Sequence, residues 1–562
     1  MANWDHTTDV LVVGSGGGAM TAALTAKQAG LDVLMIEKTE YYGGSTALSG
    51  GGLWIPNNYL LQRDGLDDSL EKARTYLKNT VGDRTPQALQ DAYLENAPEM
   101  VKYLSSNSHV RFHRSVGYAD YYPERPGGTA DGRAIEGSPF DGSKLGADFK
   151  QLRPMSIKIP AGLAFTASEY NKIGMITSTW AGKWVALKVG VRTFFNMLTG
   201  VKLLALGQAL VARLRLSLKD EGVPIWLNTP FKELVVEYGA VVGVVAEKDG
   251  KPFRIRASKG VILAAGGFDH NQQMREEFQQ APVNHEWSSG SPGNTGDSIQ
   301  AGMKIGAKID LMDDAWWGPS TVPPNMPVMF HVGDRSYPGG IMVNAAGKRF
   351  TNEAASYVEV VHAMYEKNSV EVPHIPATFI MDSRFRRKYI FGTLFPMQPI
   401  PKIYFESGYF KRGDTLDELA QACGLDSKNL AETVARFNQF ARNGRDEDFH
   451  RGDSAYDRYY GDPTIKPNPC LAPIEKPPFY AVQMVPGDLG TKGGLAIDEY
   501  ARVLSADGSP IPNLYAAGNT SASVMGNTYP GAGSTIGPAM TFGYIAAKHI
   551  AGGKIRPIGR LP

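Results

Sequence analysis

Cysteine is nearly absent: Cys423 and Cys470 are the only two in 562 residues. No Cys-x-x-Cys pair, Cys/His cluster or His-Glu-x-x-His helix occurs, so zinc and iron–sulfur sites lack ligands and no metal is expected. Two thiols fit a reducing compartment. No uninterrupted apolar run reaches about eighteen residues, so no membrane span is expected. The first strand opens near Asp9 with no signal-peptide or twin-Arg pattern before it, and a cytoplasmic protein is expected. An excess of either charge is missing too. Lys+Arg number 58 and Asp+Glu 57, which leaves no global field to recruit nucleic acid. Hydrophobic content of 43% and charged content of 20% are ordinary for a soluble enzyme of at least two domains.

Glycine is abundant, at 63 residues, and it clusters. Asp9-Val-Leu-Val-Val13 reads as a buried strand. It runs into Gly14, Ser15, Gly16, Gly17, Gly18 and Ala19, then an Ala-rich helix to about Gly30, and Val33–Ile36 follows as a strand ending at Glu37. This is the G-x-G-x-x-A dinucleotide turn, with its acid about twenty residues on. Gly14 makes the tight turn, Gly16 admits a pyrophosphate and Ala19 lets helix pack on strand. The helix N-terminus holds the phosphates, and Glu37 accepts from a ribose. Further glycine-rich segments follow: Gly43, Gly44, Ser45 and Thr46; Ser49, Gly50, Gly51 and Gly52; Ala265 and Gly266 after the strand from Gly260; and Gly518 with Asn519. Elements this far apart suit one long extended cofactor, a flavin dinucleotide (FAD). Lys38, Gly533, Thr535 and Ile536 complete the candidate cofactor contacts. No second strand–GxGxxG–helix unit exists for a nicotinamide, so the electron partner is expected to be the substrate or an external acceptor, a quinone being one candidate.

The cofactor elements occur at 9–52, 260–267 and 488–545, which requires an insertion. The expected fold is α/β: a discontinuous Rossmann-like FAD-binding domain (1–313 and 488–562) with an inserted α+β catalytic domain (314–487). Helices are expected near Leu416–Cys423 and Lys428–Asn443, and a strand at Gly340–Asn344. Residues 170–219 hold no acidic residue and interleave Lys and Arg with Trp180, Trp184, Phe194 and Phe195. They read as one or two core-packed helices, or as a basic amphipathic surface that makes peripheral contact with the inner face of a membrane through 165–203.

The most telling stretch lies near the end. Asn513-Leu-Tyr-Ala-Ala-Gly518 reads as a strand entering a glycine turn, and Tyr529-Pro-Gly-Ala-Gly533 as an irregular turn. Tyr529 offers a phenol donor and Gly533 a backbone donor. Two converging donors suit a reaction in which charge builds on a carbonyl oxygen.

With these residues the chain resembles the 3-ketosteroid Δ1-dehydrogenases of the fumarate reductase/succinate dehydrogenase flavoprotein superfamily. The resemblance covers nearly the whole chain. It rests on the N-terminal VVGSGGGA, Glu37-Lys38, Gly43-Gly44-Ser45, Asp120-Tyr121-Tyr122, Gly293–Asp297, Asn352-Glu353, Asp488–Gly494, Ala516–Ala522 and, most specifically, Tyr529–Gly533. It implies removal of hydrogens from carbons 1 and 2 of ring A of a 3-ketosteroid. Tyr529 and the Gly533 amide would hold the 3-keto oxygen. Tyr357 would take the proton from carbon 2, and Tyr121 would support Tyr357. Ala354-Ala355-Ser356 before Tyr357, and Ala532 in place of a frequent proline, depart from the family pattern. Rival readings are a fumarate-reductase-like enzyme, which needs Arg and His clamps in settings not found here, a 3-ketosteroid 4(5α)-dehydrogenase, and a non-catalytic steroid-binding flavoprotein.

Overall fold

A computed structural model describes residues 4–156 and 163–554. The elements that position the site are, in chain order, β1 (His6–Val13), α1 (Gly17–Gln28), β2 (Val33–Ile36), α2 (Trp180–Thr199), α3 (Leu206–Asp220), β3 (Lys251–Leu263), β4 (Ala315–Thr321), β5 (Gly340–Val343), α4 (Tyr357–Glu366), β6 (Ala377–Asp382), β7 (Phe479–Thr491), β8 (Pro510–Ala516) and α5 (Ile536–Ile550).

Among the described residues the larger sheet has eight strands, with β8, β3, β1 and β2 adjacent in that order. Their pairings are parallel: Val10 sits opposite Val33 on one side and Gly260 on the other, and Val261 faces Leu514. Val10 to Val13 are buried, as the continuous apolar run requires of a parallel strand covered on both faces. Helices α1 and α5 cross closely on one face. A Cβ at Gly543 would fall 2.4 Å from the Gly18 carbonyl oxygen, and one at Gly18 would fall 2.5 Å from that of Ala539. The strand β1 starts at His6, earlier than the apolar run from Asp9 suggests. Its polar start is held by pairing of His6–Thr8 with Ile255–Ala257, a long-range partner that local pattern does not reveal.

Among the described residues the second sheet has six strands, paired antiparallel; β4, β7, β6 and β5 are adjacent in that order. The thirteen-residue β7 pairs with β6 from Phe479 to Met484 and with β4 from Val485 to Thr491. It therefore runs through the expected boundary at 487/488 and ties the inserted part to the glycine-rich return. Helices at Leu416–Cys423 and Ser427–Asn443 back this sheet.

The acid-free stretch 170–219 divides into two unlike helices. Helix α3 is core-packed, with Leu210, Val211, Leu214 and Leu218 buried. Helix α2 is not: of its twenty residues only Gly182 and Val189 are buried.

Candidate active site

One cavity of about 1260 Å³ contains both halves of the expected site. Its lining includes Gly14 to Ala19, Glu37, Lys38, Gly44 to Thr46, Ser49 to Gly52, Ala265, Gly266, Gly518, Asn519, Thr535 and Ile536. Tyr121, Tyr357, Tyr529 and Gly533 line the same cavity. Residues from both ends and the middle of the chain thus meet at the C-terminal ends of β1, β3 and β8, where ligands bind in open α/β sheets.

The glycines sort into two kinds. At Gly14 (φ +106°) a Cβ would fall 2.3 Å from the Ala264 carbonyl oxygen, and at Gly51 it would fall 2.5 Å from the Leu206 carbonyl carbon, so these serve protein packing. At Gly16 an added Cβ would come no nearer than 3.6 Å to the protein, at Gly44 3.5 Å, and at Gly50 it would meet nothing within 4 Å. Those side chains would enter the cavity, so glycine there leaves room for a ligand lying against the backbone. The N-cap Gly16 is extended and opens α1 toward this space, and Gly17 N–H donates to Thr46 Oγ1 at 3.0 Å. Glu37 is oriented by Ser15 Oγ at 2.6 Å on one oxygen and by the Thr39 amide and hydroxyl at 2.9 Å on the other. The oxygen bonded by Ser15 alone keeps acceptor capacity for a ribose hydroxyl. The residues present therefore fit a bound flavin dinucleotide.

Two candidates stand apart. Gly43 does not line the cavity. It sits one step behind it at φ +113°, its amide donating to Ser15 Oγ at 3.0 Å, and so supports the turn. Lys38 lines the cavity, but its ammonium is engaged by Asp297 at 2.7 Å and Thr295 at 2.6 Å. The loop that holds it, Gly290–Thr295, also lines the cavity and grips Ser45: the Ser291 amide and Asn294 Nδ2 both donate to Ser45 Oγ, at 2.9 and 3.0 Å.

The aromatic wall is assembled from separated segments. The Tyr121 amide donates to the Pro530 carbonyl at 2.9 Å, which places Tyr121 beside Tyr529 with rings stacked at 5.2 Å. The Tyr122 hydroxyl donates to Glu359 on α4 at 2.6 Å and accepts from the Tyr529 amide at 3.4 Å. Tyr357, the first residue of α4, thus meets Tyr529 and Tyr121 edge to face at 5.1 and 5.5 Å. Trp316, on β4, packs edge-on to Tyr529 at 5.1 Å and donates to Asn519 Oδ1 at 3.1 Å, joining this wall to the glycine cradle.

The hydroxyls form a chain. Tyr121 donates to Tyr357 at 3.3 Å, Tyr118 bonds Tyr121 at 3.2 Å, and Tyr118 bonds Tyr460 at 2.5 Å. Burial pushes the Tyr357 phenol well above its ordinary range, and the bond from Tyr121 pulls the other way. Burial also raises Tyr529, against donation from Thr535 Oγ1 at 3.2 Å and from the adjacent Gly533 amide. A phenol here loses its proton only with help from its neighbours.

The turn before Tyr357 is held by Arg335, a fully buried guanidinium that donates to the carbonyls of His331, Glu353 and Ala355. Glu353 in turn receives Arg349 at 2.7 Å and Arg451 at 3.0 Å, all three buried. The turn that carries Ala354 and Ala355 thus hangs on a buried ionic scaffold. Tyr118, Tyr460 and Arg335 escape a reading of the residues one by one, and the Gly290–Thr295 loop enters only through the resemblance, as part of Gly293–Asp297. The one local signal is the aromatic density of Tyr456-Asp-Arg-Tyr459-Tyr460.

Comparison with known proteins supplies independent findings. The family model described as "FAD binding domain" matches residues 9–536. The chain is 50% identical over 552 residues, 97% of each chain, to a 3-oxosteroid 1-dehydrogenase of Mycolicibacterium smegmatis. It is 35% identical to a 4-oxocyclohexanecarboxylate 2-dehydrogenase of Sinomonas cyclohexanicum, covering 97% of this chain and 93% of that one. Among solved structures it superposes with a TM-score of 0.93 and 43% identity on the crystal structure of a 3-ketosteroid Δ1-dehydrogenase from Sterolibacterium denitrificans in complex with 1,4-androstadiene-3,17-dione, covering 97% of this chain and 100% of that one.

Proposed function

The chain belongs to the family of FAD-binding flavoproteins that contains the 3-oxosteroid 1-dehydrogenases, and from that premise we propose that it desaturates the bond between carbons 1 and 2 of ring A of 3-ketosteroids. The observation that carries this reading is that the glycine cradle and the cluster of Tyr121, Tyr357, Tyr529 and Gly533 line one cavity.

The 3-keto oxygen receives the Tyr529 hydroxyl and the Gly533 amide. A hydrogen beside a ketone is too weak an acid for a protein base unaided, and these donors stabilise the enolate-like state. One such donor is worth about 3–4 kcal/mol, or about 10²–10³ in rate. Tyr357 acts as its phenolate, which Tyr121 stabilises by donating to it at the distance already present; it takes the proton from carbon 2 and becomes a neutral phenol. Tyr118 and Tyr460 extend the hydroxyl chain and provide a route by which that proton leaves the base. Trp316 and Phe330, edge-on to Tyr529 and Tyr357 at 5.1 and 5.2 Å, keep the phenols oriented and dry. Bound FAD supplies the two-electron acceptor for the hydride that leaves carbon 1.

The division into 1–313 and 488–562 for cofactor and 314–487 for catalysis is retained, with β7 as the bridge. Electrons leave to an external acceptor of quinone type, since no second dinucleotide motif follows the first in the sequence. The protein works in the cytoplasm, peripheral to the inner face of a membrane, with 165–203 as the contact. Anaerobic mixing with androst-4-ene-3,17-dione tests the activity. Rapid bleaching of the flavin with formation of the 1,4-dien-3-one is expected. Bleaching by fumarate's reduced partner succinate, or no response to steroid, would overturn the proposal.

A further inference from the structure

The cavity holds one buried carboxylate whose bonds within the protein are all long. Glu136 lies on the strand Ala134–Gly137, and its side chain is 2% exposed. Ala134 and Glu136 line the cavity, while Ile135 between them does not. The two-residue period of a strand therefore turns the Glu136 carboxylate toward the cavity. Burying a carboxylate costs much unless it is well paired, and charge-assisted partners ordinarily sit at about 2.7–2.9 Å. Among the described residues Glu136 has none so close. Ser115 Oγ donates to Oε1 at 3.3 Å, the Ala167 amide donates to Oε2 at 3.2 Å, and His113 Nε2 lies 3.4 Å from Oε1. Asp334, another acid in the lining, shows the contrast. It bonds His331 Nδ1 at 2.7 Å and accepts from the Gly392 amide at 2.8 Å and the Arg335 amide at 3.1 Å.

A second acceptor reaches the same space. On the helix Ala167–Ile173, Ala167, Tyr170 and Asn171 line the cavity, one face at spacings of three and four. Asn171 Nδ2 donates to the Tyr459 carbonyl at 3.2 Å, which fixes the amide. Its Oδ1 is buried and has no partner among the described residues. The Ala167 amide joins this helix to Glu136, so the two acceptors belong to one patch. Tyr459 stacks on Tyr118 at 4.4 Å, and Tyr118 bonds Tyr121, which places the patch beside the far end of the tyrosine wall. Among the described residues no arginine lines the cavity, and Lys38, which does, is held by Asp297. A patch of acceptors without a free cation takes a ligand that brings a donor hydrogen and no negative charge.

We infer that Glu136 and Asn171 Oδ1 form a subsite for a hydroxyl group on the steroid skeleton away from ring A, so that a hydroxylated 3-ketosteroid is preferred over its deoxy counterpart. This rests on the activity proposed above. Tyr529 and Gly533 fix ring A through the 3-keto oxygen, which leaves the patch beside Tyr118 to the rings further along. A hydroxyl donating to the carboxylate makes a charge-assisted bond, and a deoxy steroid leaves the carboxylate with its long bonds alone.

The test compares kcat/KM for androst-4-ene-3,17-dione with that for its 9α-hydroxy and 11β-hydroxy derivatives and for its 17β-hydroxy counterpart, in the wild-type holoenzyme, Glu136→Gln and Asn171→Leu. Expected is a wild-type preference of about tenfold or more for at least one hydroxylated steroid. That ratio falls close to one in Glu136→Gln, which keeps the side chain's size and an acceptor for the Ala167 amide but not the charge. It falls a few-fold in Asn171→Leu, which reads the same ratio should Glu136→Gln fail to fold. A Glu136 that merely holds the helix would lower kcat/KM for every steroid alike and leave the ratio where it was. That result, or wild-type ratios within about twofold of one at every position, overturns the inference. Flavin bleached by the dione in an enzyme without hydroxyl preference leaves the activity standing and overturns the subsite alone. Flavin bleached by none of the steroids overturns both.

Discussion

The glycine cradle and the tyrosine wall line one cavity, yet they are specified in different ways. The cradle is made of backbone. Its sites are places where side chains are missing, and a short motif fixes each one. The wall is made of side chains from 118–122, 357, 456–460 and 529, and only tertiary bonds such as Tyr121 N–H to Pro530 and Tyr122 to Glu359 bring them together. A cofactor that is bound along its length tolerates loss of any one hydrogen bond. A ketone held at a single oxygen does not.

That contrast is broken most sharply at the wall. Tyr357→Phe and Tyr529→Phe should each lower kcat by about 10²–10³ while flavin content stays at wild-type level. Parallel loss of flavin in either would show that wall and cradle are not separable. The converse substitution is Gly14→Ala. It adds a methyl 2.3 Å from the Ala264 carbonyl at φ +106°, and should cost about 3 kcal/mol or more. The expected result is a lower thermal midpoint and substoichiometric flavin, with near-normal turnover per bound flavin.

The pH dependence sharpens the comparison. Burial raises the Tyr357 phenol, so its proton-free form is scarce at neutrality and grows as pH rises. The rate kcat/KM should therefore climb by about tenfold per unit through the alkaline range, until the raised value is reached. Flavin retention should not follow that slope. A profile flat from neutral upward would argue against a phenolate base. Arg335→Lys should loosen the turn carrying Tyr357 and lower kcat about tenfold, by shortening a donor that spans the carbonyls of Glu353 and Ala355. Tyr118→Phe, which cuts the hydroxyl chain one link from Tyr121, should cost only a few-fold, read as an altered solvent isotope effect on kcat.

The same contrast explains what was legible beforehand. Gly16, Glu37, Gly518 and their strands stand in local order, so the cradle reads directly from spacing. Tyr529 and Gly533 lie in one short turn and were readable as a donor pair; Tyr357 and Tyr121 came only through family resemblance. Tyr118 and Tyr460 did not emerge, because 342 residues separate partners that share a hydrogen bond. Arg335 carries no local signal; its role follows only from its carbonyl partners. Helix α2 shows a different limit. Periodicity finds the apolar stripe but not the direction it faces, since that depends on Gly182 and Val189 being the side that packs.

The central claim is that one phenol and one amide polarise the ketone while a second phenol removes the neighbouring proton, beside a cofactor held independently. It is tested most directly by anaerobic single-turnover reduction of bound flavin by androst-4-ene-3,17-dione, in the wild type and in Tyr529→Phe at equal flavin content. The account predicts flavin reduction slower by about a hundredfold or more in the variant. Reduction at the wild-type rate would contradict it.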